Sequence, residues 1–252
     1  MAHKRLVIAH RGQMVGAPEQ TMAAYELAIA LGAQMIESDL RFSRDGVPVM
    51  LHDTRLERTT SGRGPVAGMD WAEISRLDAG SWFNPEFAGE RIPRLEDLFT
   101  LADTRRIALC IEAKGDEGDD NARAALHAAQ QIARRGRLEV DVVASFDHAA
   151  LAAAAAAVPG LRTAPDRLPE RGASTAAELI AQARQAGARI IQHHFADLER
   201  EVVLEVQAAG IEVWAWPPAN VTEAQFAYDS GAIGLMGDDV EAIIEVLKRA
   251  DD

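Results

Sequence analysis

The sequence predicts a (β/α)₈ barrel, also called a TIM barrel, from three observations. Short apolar runs alternate with segments of helical periodicity along most of the chain, which is typical of a parallel sheet covered by helices. Eight strand and helix pairs follow one another, and eight is the number that closes a barrel. The chain has 252 residues, and this barrel commonly takes about 250 residues as one domain. We therefore expect a single domain over residues 1–252.

The first two barrel strands are predicted at residues 5–10 and 34–42, with a helix at 21–31 between them. A turn then returns the chain as a hairpin strand at 47–51, which pairs with the second barrel strand. Residues 54–92 break the alternation, and a stretch of this length is long for a barrel loop. We therefore expect a small insertion after the second barrel strand.

The alternation resumes after the insertion. A helix is predicted at residues 95–102, before the third barrel strand. The six remaining strands are predicted at residues 107–113, 140–145, 161–164, 189–192, 212–216 and 233–236. The helices that follow them are predicted at residues 121–135, 148–157, 175–186, 198–209, 222–230 and 240–249. An acidic run at residues 116–120 predicts a solvated loop.

Three acidic residues stand at or near the C-terminal ends of predicted strands, where the catalytic groups of a parallel barrel gather. Glu37 and Asp39 are two residues apart on one strand, so their side chains point to the same face, and Glu112 and Lys114 have the same relation. Three carboxylates at one mouth repel one another unless a cation binds between them. We therefore predict a divalent metal site at Glu37, Asp39 and Glu112, and oxygen ligands favour Mg²⁺, Ca²⁺ or Mn²⁺.

Two histidines bracket the same part of the sequence. His10 ends the first predicted strand and His52 ends the hairpin strand, and both can exchange protons near neutral pH. Arg11 follows His10 directly and is suited to bidentate binding of a phosphate, with Lys114 as a second positive charge. A metal, a phosphate clamp and two proton carriers together indicate phosphoester chemistry. Which histidine is the acid and which is the base stays open.

Composition and charge limit the partners. The chain is 48% hydrophobic and 26% charged, as is typical of globular proteins. Its net charge of −13 disfavours nucleic acid and anionic membranes as partners. Apolar runs stay well short of the ~20 residues of a membrane span, and the N-terminus lacks a signal-peptide pattern, so we expect no membrane insertion and a cytoplasmic location. Cys110 is the single cysteine, which excludes an intrachain disulfide.

Eight short motifs follow one another in order around these residues. They are His10-Arg11-Gly12, Pro18-Glu19-Gln20-Thr21, Glu37-x-Asp39, Asp45-Gly46, His52-Asp53, Arg58-Thr59-Thr60 with Gly62, Ile92-Pro93-Arg94-Leu95 and Glu112-x-Lys114. In this order the chain resembles the glycerophosphodiester phosphodiesterases, whose usual pattern begins with HRG, PENT, ExD, DG and HD. The resemblance covers most of the chain and is densest before residue 115. Because the motifs are long, ordered and correctly spaced, chance is a poor explanation.

The resemblance implies metal-dependent hydrolysis of a small glycerophosphodiester to sn-glycerol 3-phosphate and an alcohol, within lipid and glycerol metabolism. It implies general acid and base roles for His10 and His52, and it places Trp216 at the substrate cleft. The attacking oxygen, from water or from the glycerol 2-hydroxyl, stays open.

The sequence departs from the pattern of the resembled family at three points. Gln20 replaces an asparagine, two prolines follow Trp216, and Gly237 stands where a threonine is common before Asp238. The prolines put the wall of the cleft on that side in doubt.

Three alternatives stay open. A lysophospholipase D-like activity on single-chain lipids needs an apolar lip, which aromatic residues of the insertion can form, although they can equally pack the insertion. These residues are Trp71, Trp82, Phe83 and Phe87. A non-catalytic barrel used as a binding module need not keep complete sets of histidines and carboxylates. A metal-dependent isomerase or aldolase is compatible with the same fold.

Other polar residues near the motifs have simpler interpretations. Thr21 can cap the helix predicted at 21–31, and Gly32 can end it. Glu19 is expected to cap the same helix, with support of the site as the alternative. Asp53 and Arg58 are expected to support the site rather than to react, and His193 and His194 to be structural.

Overall fold

Strands and helices alternate through the computed structural model, which describes residues 5–115 and 121–251. The strands are β1 (Leu6–His10), β2 (Met35–Phe42), β3 (Pro48–Met50), β4 (Ala108–Ala113), β5 (Val142–Ser145), β6 (Arg162–Pro165), β7 (Ile190–His194), β8 (Glu212–Trp216) and β9 (Gly234–Gly237). The helices are α1 (Met22–Leu31), α2 (Trp71–Ile74), α3 (Leu95–Arg105), α4 (Ala122–Arg134), α5 (His148–Ala157), α6 (Ala176–Gln185), α7 (Arg200–Ala208), α8 (Val221–Asp229) and α9 (Val240–Asp251). The loop predicted at 116–120 lies outside the described residues.

Eight parallel strands of the described residues form one sheet in the order β6-β5-β4-β2-β1-β9-β8-β7, and β3 pairs antiparallel with β2. The two end strands meet through a parallel bridge between Asp166 and Gln192. There the amide of Arg167 donates a hydrogen bond of 2.8 Å to the carbonyl of Gln192. The sheet is thus a nearly closed barrel with helices between its strands, which confirms the predicted (β/α)₈ fold. The single-domain organisation stays a prediction.

Apolar side chains fill the barrel on both faces of its sheet. The inner cluster consists of Ile8, Met35, Cys110, Val142, Ala144, Ala164, Ile190, Trp214 and Met236. A larger cluster lies between the sheet and the helices, with Ile36, Leu109 and Val213 on its sheet side. Strands that are buried on both faces have nearly continuous apolar sequences, and this explains why the strands could be predicted from the sequence.

The insertion between β3 and α3 has a small core of its own. This core consists of Val49 of β3 together with Leu51, Leu56, Val66, Ile74, Ala79 and Ile92. The Phe83 ring meets Trp82 and Phe87 edge to face, with centroid distances of 5.8 Å and 5.7 Å. Trp71 lies beside the guanidinium of Arg94. The aromatic residues of the insertion therefore contact one another or Arg94, although Trp82 is 41% exposed.

A membrane span would need a long apolar helix, and the described residues contain none of sufficient length and hydropathy.

Candidate active site

A cavity of about 420 Å³ opens at the C-terminal ends of the parallel strands. One wall carries most of the charged residues predicted from the sequence, namely His10, Arg11, Glu37, His52, Glu112 and Lys114. The facing wall includes Trp216, which was also predicted, and four residues that were not: Phe146, Asp166, Glu170 and Gln192. Asp39, the remaining predicted residue, is fully buried and lies close to Glu37 and Glu112. The fold thus brings all eight predicted residues to one mouth.

Strand register brings the three carboxylates together. Glu37 pairs with His10 of β1, and Asp39 pairs with Glu112 of β4. One oxygen from each carboxylate lies within 4.8 Å of the other two. Glu37 is only 2% exposed, and its Oε1 has no hydrogen-bond partner among the described residues. A buried, unpaired carboxylate oxygen beside two other carboxylates fits a hard divalent cation.

Two cations hold part of this negative charge. Lys114 Nζ lies 2.5 Å from Glu112 Oε1 and 3.2 Å from Asp39 Oδ1, and Arg11 Nε lies 3.2 Å from Asp39 Oδ2. Burial alone would raise the pKa of Asp39, but Lys114 and Arg11 outweigh it and hold that pKa well below its usual range. Burial and the nearby Asp39 and Glu112 raise the pKa of Glu37 well above its usual value. Two fixed cations therefore leave one buried carboxyl without a counter-charge.

Gln20 supports this cluster from beneath. It is buried, and its Nε2 donates a hydrogen bond of 2.5 Å to Asp39 Oδ2. Its Oε1 accepts hydrogen bonds from the hydroxyls of Tyr25, at 2.8 Å, and Ser38. The glutamine that departs from the pattern of the resembled family therefore orients a predicted metal ligand.

His10 is fixed by a residue from the other end of the chain. Its Nδ1 lies 2.6 Å from Asp238 Oδ1, and its Nε2 lies 4.0 Å from Glu37 Oε2. A carboxylate at Nδ1 sets the tautomer of the ring and leaves Nε2 for chemistry. Two signals in the sequence pointed to Asp238, its position two residues after the last predicted strand and its match to the pattern of the resembled family, but no role was predicted for it.

His52 is held in a similar way. Strand β3 ends at Met50, so His52 lies beyond it, and the prediction that His52 ends a strand is wrong by two residues. Its Nδ1 lies 2.8 Å from Asp53 Oδ1, and the side chain of Arg41 donates to its carbonyl. Burial lowers the pKa of His52. Because β3 runs antiparallel to β2, its C-terminal end lies next to Asp39. There the amide of Leu51 donates a hydrogen bond to the carbonyl of Asp39.

Arg58 connects both halves of the charged wall. Its guanidinium donates to Asp53 at 2.7 Å and 2.9 Å, and to Glu19 at 2.6 Å and 2.8 Å. The hydrogen bonds from Arg58 lower the pKa of Asp53 to about 2. Glu19 also accepts from Arg11 at 3.2 Å. The expectation that Glu19 caps α1 is wrong, because the Thr21 hydroxyl caps that helix, as predicted. Glu19 instead pairs with the two arginines, which agrees with the alternative that it supports the site.

The two departures near Trp216 and Asp238 depend on each other. The amide of Asp238 donates a hydrogen bond of 3.1 Å to the carbonyl of Pro218. A Cβ atom at position 237 would lie 2.7 Å from that same carbonyl oxygen and 2.7 Å from the buried Ile243. Glycine at 237 therefore gives the space that the Pro218 carbonyl needs, and Trp216 still lines the cavity.

The Gly237→Thr substitution restores the threonine of the resembled family and is expected to destabilise the protein. The added side chain forces the Pro218 carbonyl or Ile243 to move, and overpacking of this kind costs ~1–3 kcal/mol. Because Asp238 follows directly, kcat should fall as well. Denaturant unfolding and steady-state kinetics measure both effects. An unchanged free energy of unfolding with an unchanged kcat would show that the backbone here yields freely.

Residues of the facing wall carried no motif. Phe146 and Asp166 lie just beyond the ends of β5 and β6, and Gln192 lies in the middle of β7. Their place in a parallel barrel was the only signal available. His193 Nε2 lies 2.9 Å from the Ser174 hydroxyl, and the His194 ring packs edge to face on Trp216 with centroids 5.5 Å apart. Their structural role stays a prediction.

Comparisons with known proteins agree with this geometry. A family model described as the glycerophosphoryl diester phosphodiesterase family matches residues 10–242. A glycerophosphodiester phosphodiesterase of Caldanaerobacter subterraneus is 30% identical over 98% of this chain and 99% of its own length. An Oleispira antarctica phosphodiesterase, solved in complex with the product sn-glycerol-3-phosphate, is 28% identical, with a TM-score of 0.85 over 98% of this chain and 97% of its own.

One further relative is similar over its whole length. The Bacillus subtilis protein YhdW, itself named only as a candidate glycerophosphodiester phosphodiesterase, is 32% identical over 95% of this chain and 96% of its own. These matches confirm the resemblance that the motifs indicated, and the chain belongs to the glycerophosphoryl diester phosphodiesterase family.

Proposed function

We propose that this enzyme hydrolyses small glycerophosphodiesters to sn-glycerol 3-phosphate and an alcohol, with a divalent metal ion and two histidines. The observation that carries the proposal is the arrangement of the charged wall. His10 and His52 are each held at Nδ1 by an aspartate, and both line one cavity with Arg11 and a cluster of three carboxylates. The Oleispira antarctica relative that binds sn-glycerol-3-phosphate supports the same product.

Glu37, Asp39 and Glu112 would hold the metal ion. The chemistry of these donors favours Mg²⁺, Ca²⁺ or Mn²⁺, because all three ligands are carboxylate oxygens. When bound, such an ion polarises phosphoryl oxygens and helps to activate the attacking oxygen. Within the protein, Lys114 and Arg11 compensate charge on the phosphoryl group, since both already lie at the cluster.

The histidines transfer the protons in this proposal. One imidazole accepts the proton of the attacking oxygen, and the other donates a proton to the oxygen of the leaving alcohol. Their Nδ1 atoms are occupied by Asp238 and Asp53, so Nε2 is the atom that exchanges protons. Trp216 forms part of the wall that encloses the substrate.

The cavity favours a small substrate over a lysolipid. Its volume of about 420 Å³ suits a glycerol phosphodiester with a short alcohol. The aromatic residues of the insertion pack against one another or against Arg94, and among the cavity-lining residues none belongs to this group. An apolar lip of the kind that a lysophospholipase D-like activity needs is therefore unsupported.

Kinetics with two kinds of substrate tests this proposal. Glycerophosphocholine and glycerophosphoethanolamine should be hydrolysed with a higher kcat/KM than lysophosphatidylcholine, and sn-glycerol 3-phosphate should be the product. A higher kcat/KM for the lysolipid would favour the lipid activity instead. If none of these compounds is turned over, the chain is a binding module or catalyses another reaction.

The metabolic role and the cellular location of the enzyme are part of the same proposal. A small-molecule substrate and a net charge of −13 suit an enzyme of lipid and glycerol metabolism in the cytoplasm, without a nucleic-acid partner.

A further inference from the structure

Two carboxylates on the facing wall have no ion-pair partner among the described residues. Within the described parts of the chain, no lysine, arginine or histidine lies within ion-pair distance of Asp166 or Glu170. The neighbouring arginines are engaged elsewhere. Arg167 donates to two carbonyls of its own loop, and Arg171 pairs with Asp197. Both carboxylates line the cavity, where a ligand can reach them.

Asp166 is rigidly placed and buried. It is only 4% exposed, and its Oδ2 has no hydrogen-bond partner in the described residues. Its amide donates a hydrogen bond of 3.1 Å to the carbonyl of Ser145, and its carbonyl oxygen lies 2.7 Å from Nε2 of His148. Burial first, and then the nearby Glu112, raise the pKa of Asp166 well above its usual value. A positively charged ligand would stabilise this buried carboxylate in its ionised form.

Two aromatic rings line the same cavity as these carboxylates, and Lys114 Nζ lies 5.7 Å from the ring centroid of one of them, Phe146. Phe146 and Trp216 both line the cavity, with ring centroids 6.1 Å apart and planes nearly perpendicular. Aromatic faces attract cations, and a combination of rings with carboxylates is a common way to bind an ammonium group. The indole Nε1 of Trp216 also has no partner among the described residues.

The two walls differ in their charge balance. On the predicted metal side, Arg11 and Lys114 together with a divalent cation match Glu37, Asp39 and Glu112 and the phosphodiester. On the other side, Asp166 and Glu170 are not matched by any of these cations. A substrate whose alcohol carries a positive charge would supply the missing cation.

We propose that Asp166, Glu170, Phe146 and Trp216 form a subsite for the alcohol part of the substrate, selective for ammonium and quaternary ammonium alcohols. This inference rests on the proposed phosphodiesterase function and adds the class of leaving alcohol to it. Neutral alcohols such as glycerol or inositol lack the charge that the subsite recognises.

A pair of substrates of equal shape tests the charge selectivity. Glycerophosphocholine is compared with its 3,3-dimethylbutyl analogue, in which carbon replaces the ammonium nitrogen. The wild-type protein should show a kcat/KM about 10-fold higher for the charged ester, as expected for a partly desolvated cation site. Asp166→Asn and Glu170→Gln should each reduce this ratio towards one. Glu205→Gln, at an exposed position on α7, is the matched control and should keep the ratio.

The possible results distinguish failure of the proposed subsite from failure of the proposed phosphodiesterase function. Equal kcat/KM values for the two esters in the wild-type protein would overturn the subsite while the proposed function stands. An equal loss for both esters in Asp166→Asn and in the more exposed Glu170→Gln would show that these residues hold the shared glycerol phosphate. If neither ester is hydrolysed, the proposed function fails. Calorimetric binding of the two esters to His52→Ala then still tests whether the charged ester binds more tightly.

Discussion

Replacement of His10 or His52 by alanine is expected to lower kcat on a glycerophosphodiester by ~10²–10⁴-fold, the usual contribution of general acid or base catalysis. Metal affinity should stay nearly unchanged, because the carboxylate cluster already supplies hard oxygen ligands. The Nδ1 atoms of both rings are held by Asp238 and Asp53, so the loss falls on proton transfer at Nε2. Steady-state kinetics and titration calorimetry of the metal measure the two effects separately.

A substrate with a good leaving group identifies the acid. A nitrophenyl phosphodiester needs little protonation of its leaving oxygen, so it should rescue the variant that lost the acid and leave the other impaired. His127→Ala is the matched control, since His127 is a half-buried histidine that packs against Phe42, away from the cavity. Near wild-type kcat in both variants on the natural substrate would refute the roles of His10 and His52. Loss of metal binding in either variant would make that histidine a ligand.

Removal of one carboxylate should abolish metal binding and most of the activity. Glu37→Gln and Glu112→Gln keep the shape of the side chain but remove a charged ligand from a cluster of three. The loss of metal affinity should exceed the ~10–100-fold that follows from losing an outer hydrogen-bond partner. The metal-free fold should survive, because each change relieves repulsion between buried carboxylates. Full activity and unchanged metal affinity in both variants would exclude this cluster as the metal site.

The same cluster gives metal affinity a defined dependence on pH. Burial, together with Asp39 and against the attraction of Lys114, raises the pKa of Glu112 to about 7 in the metal-free protein. A metal ion binds the ionised carboxylate, so protons must leave as it binds. Affinity should therefore increase as the pH increases from 6 to 8, with proton release on binding. Calorimetry in buffers of different ionisation enthalpy measures this release, and a pH-independent affinity would contradict it.

The charged wall was predictable because short motifs and short-range spacing mark its residues. The i, i+2 spacing put Glu37 and Asp39 on one face of β2 and gave Glu112 and Lys114 the same relation, and apolar runs marked the strands that carry them. Local spacing also predicted the helix limits, since Thr21 and Gly32 bound α1 as expected.

The partners of these residues were not predictable in the same way. Asp238 is 228 residues from His10, and only the pairing of β1 with β9 brings it there. Asp166 and Gln192 meet only where β6 and β7 close the barrel, and no local pattern marks them. The role of Gly237 depends on the path of Pro218, which belongs to a different loop. Contacts that form only when the barrel closes could therefore not be predicted from the sequence alone.

Release of sn-glycerol 3-phosphate from glycerophosphocholine by chelator-treated protein, before and after addition of Mg²⁺, Ca²⁺ or Mn²⁺, tests metal-dependent phosphodiester hydrolysis most directly. We expect negligible release without metal, and equal amounts of sn-glycerol 3-phosphate and choline once a suitable ion is restored. A full rate in the chelator-treated protein, or no sn-glycerol 3-phosphate with any of the three ions, would contradict it.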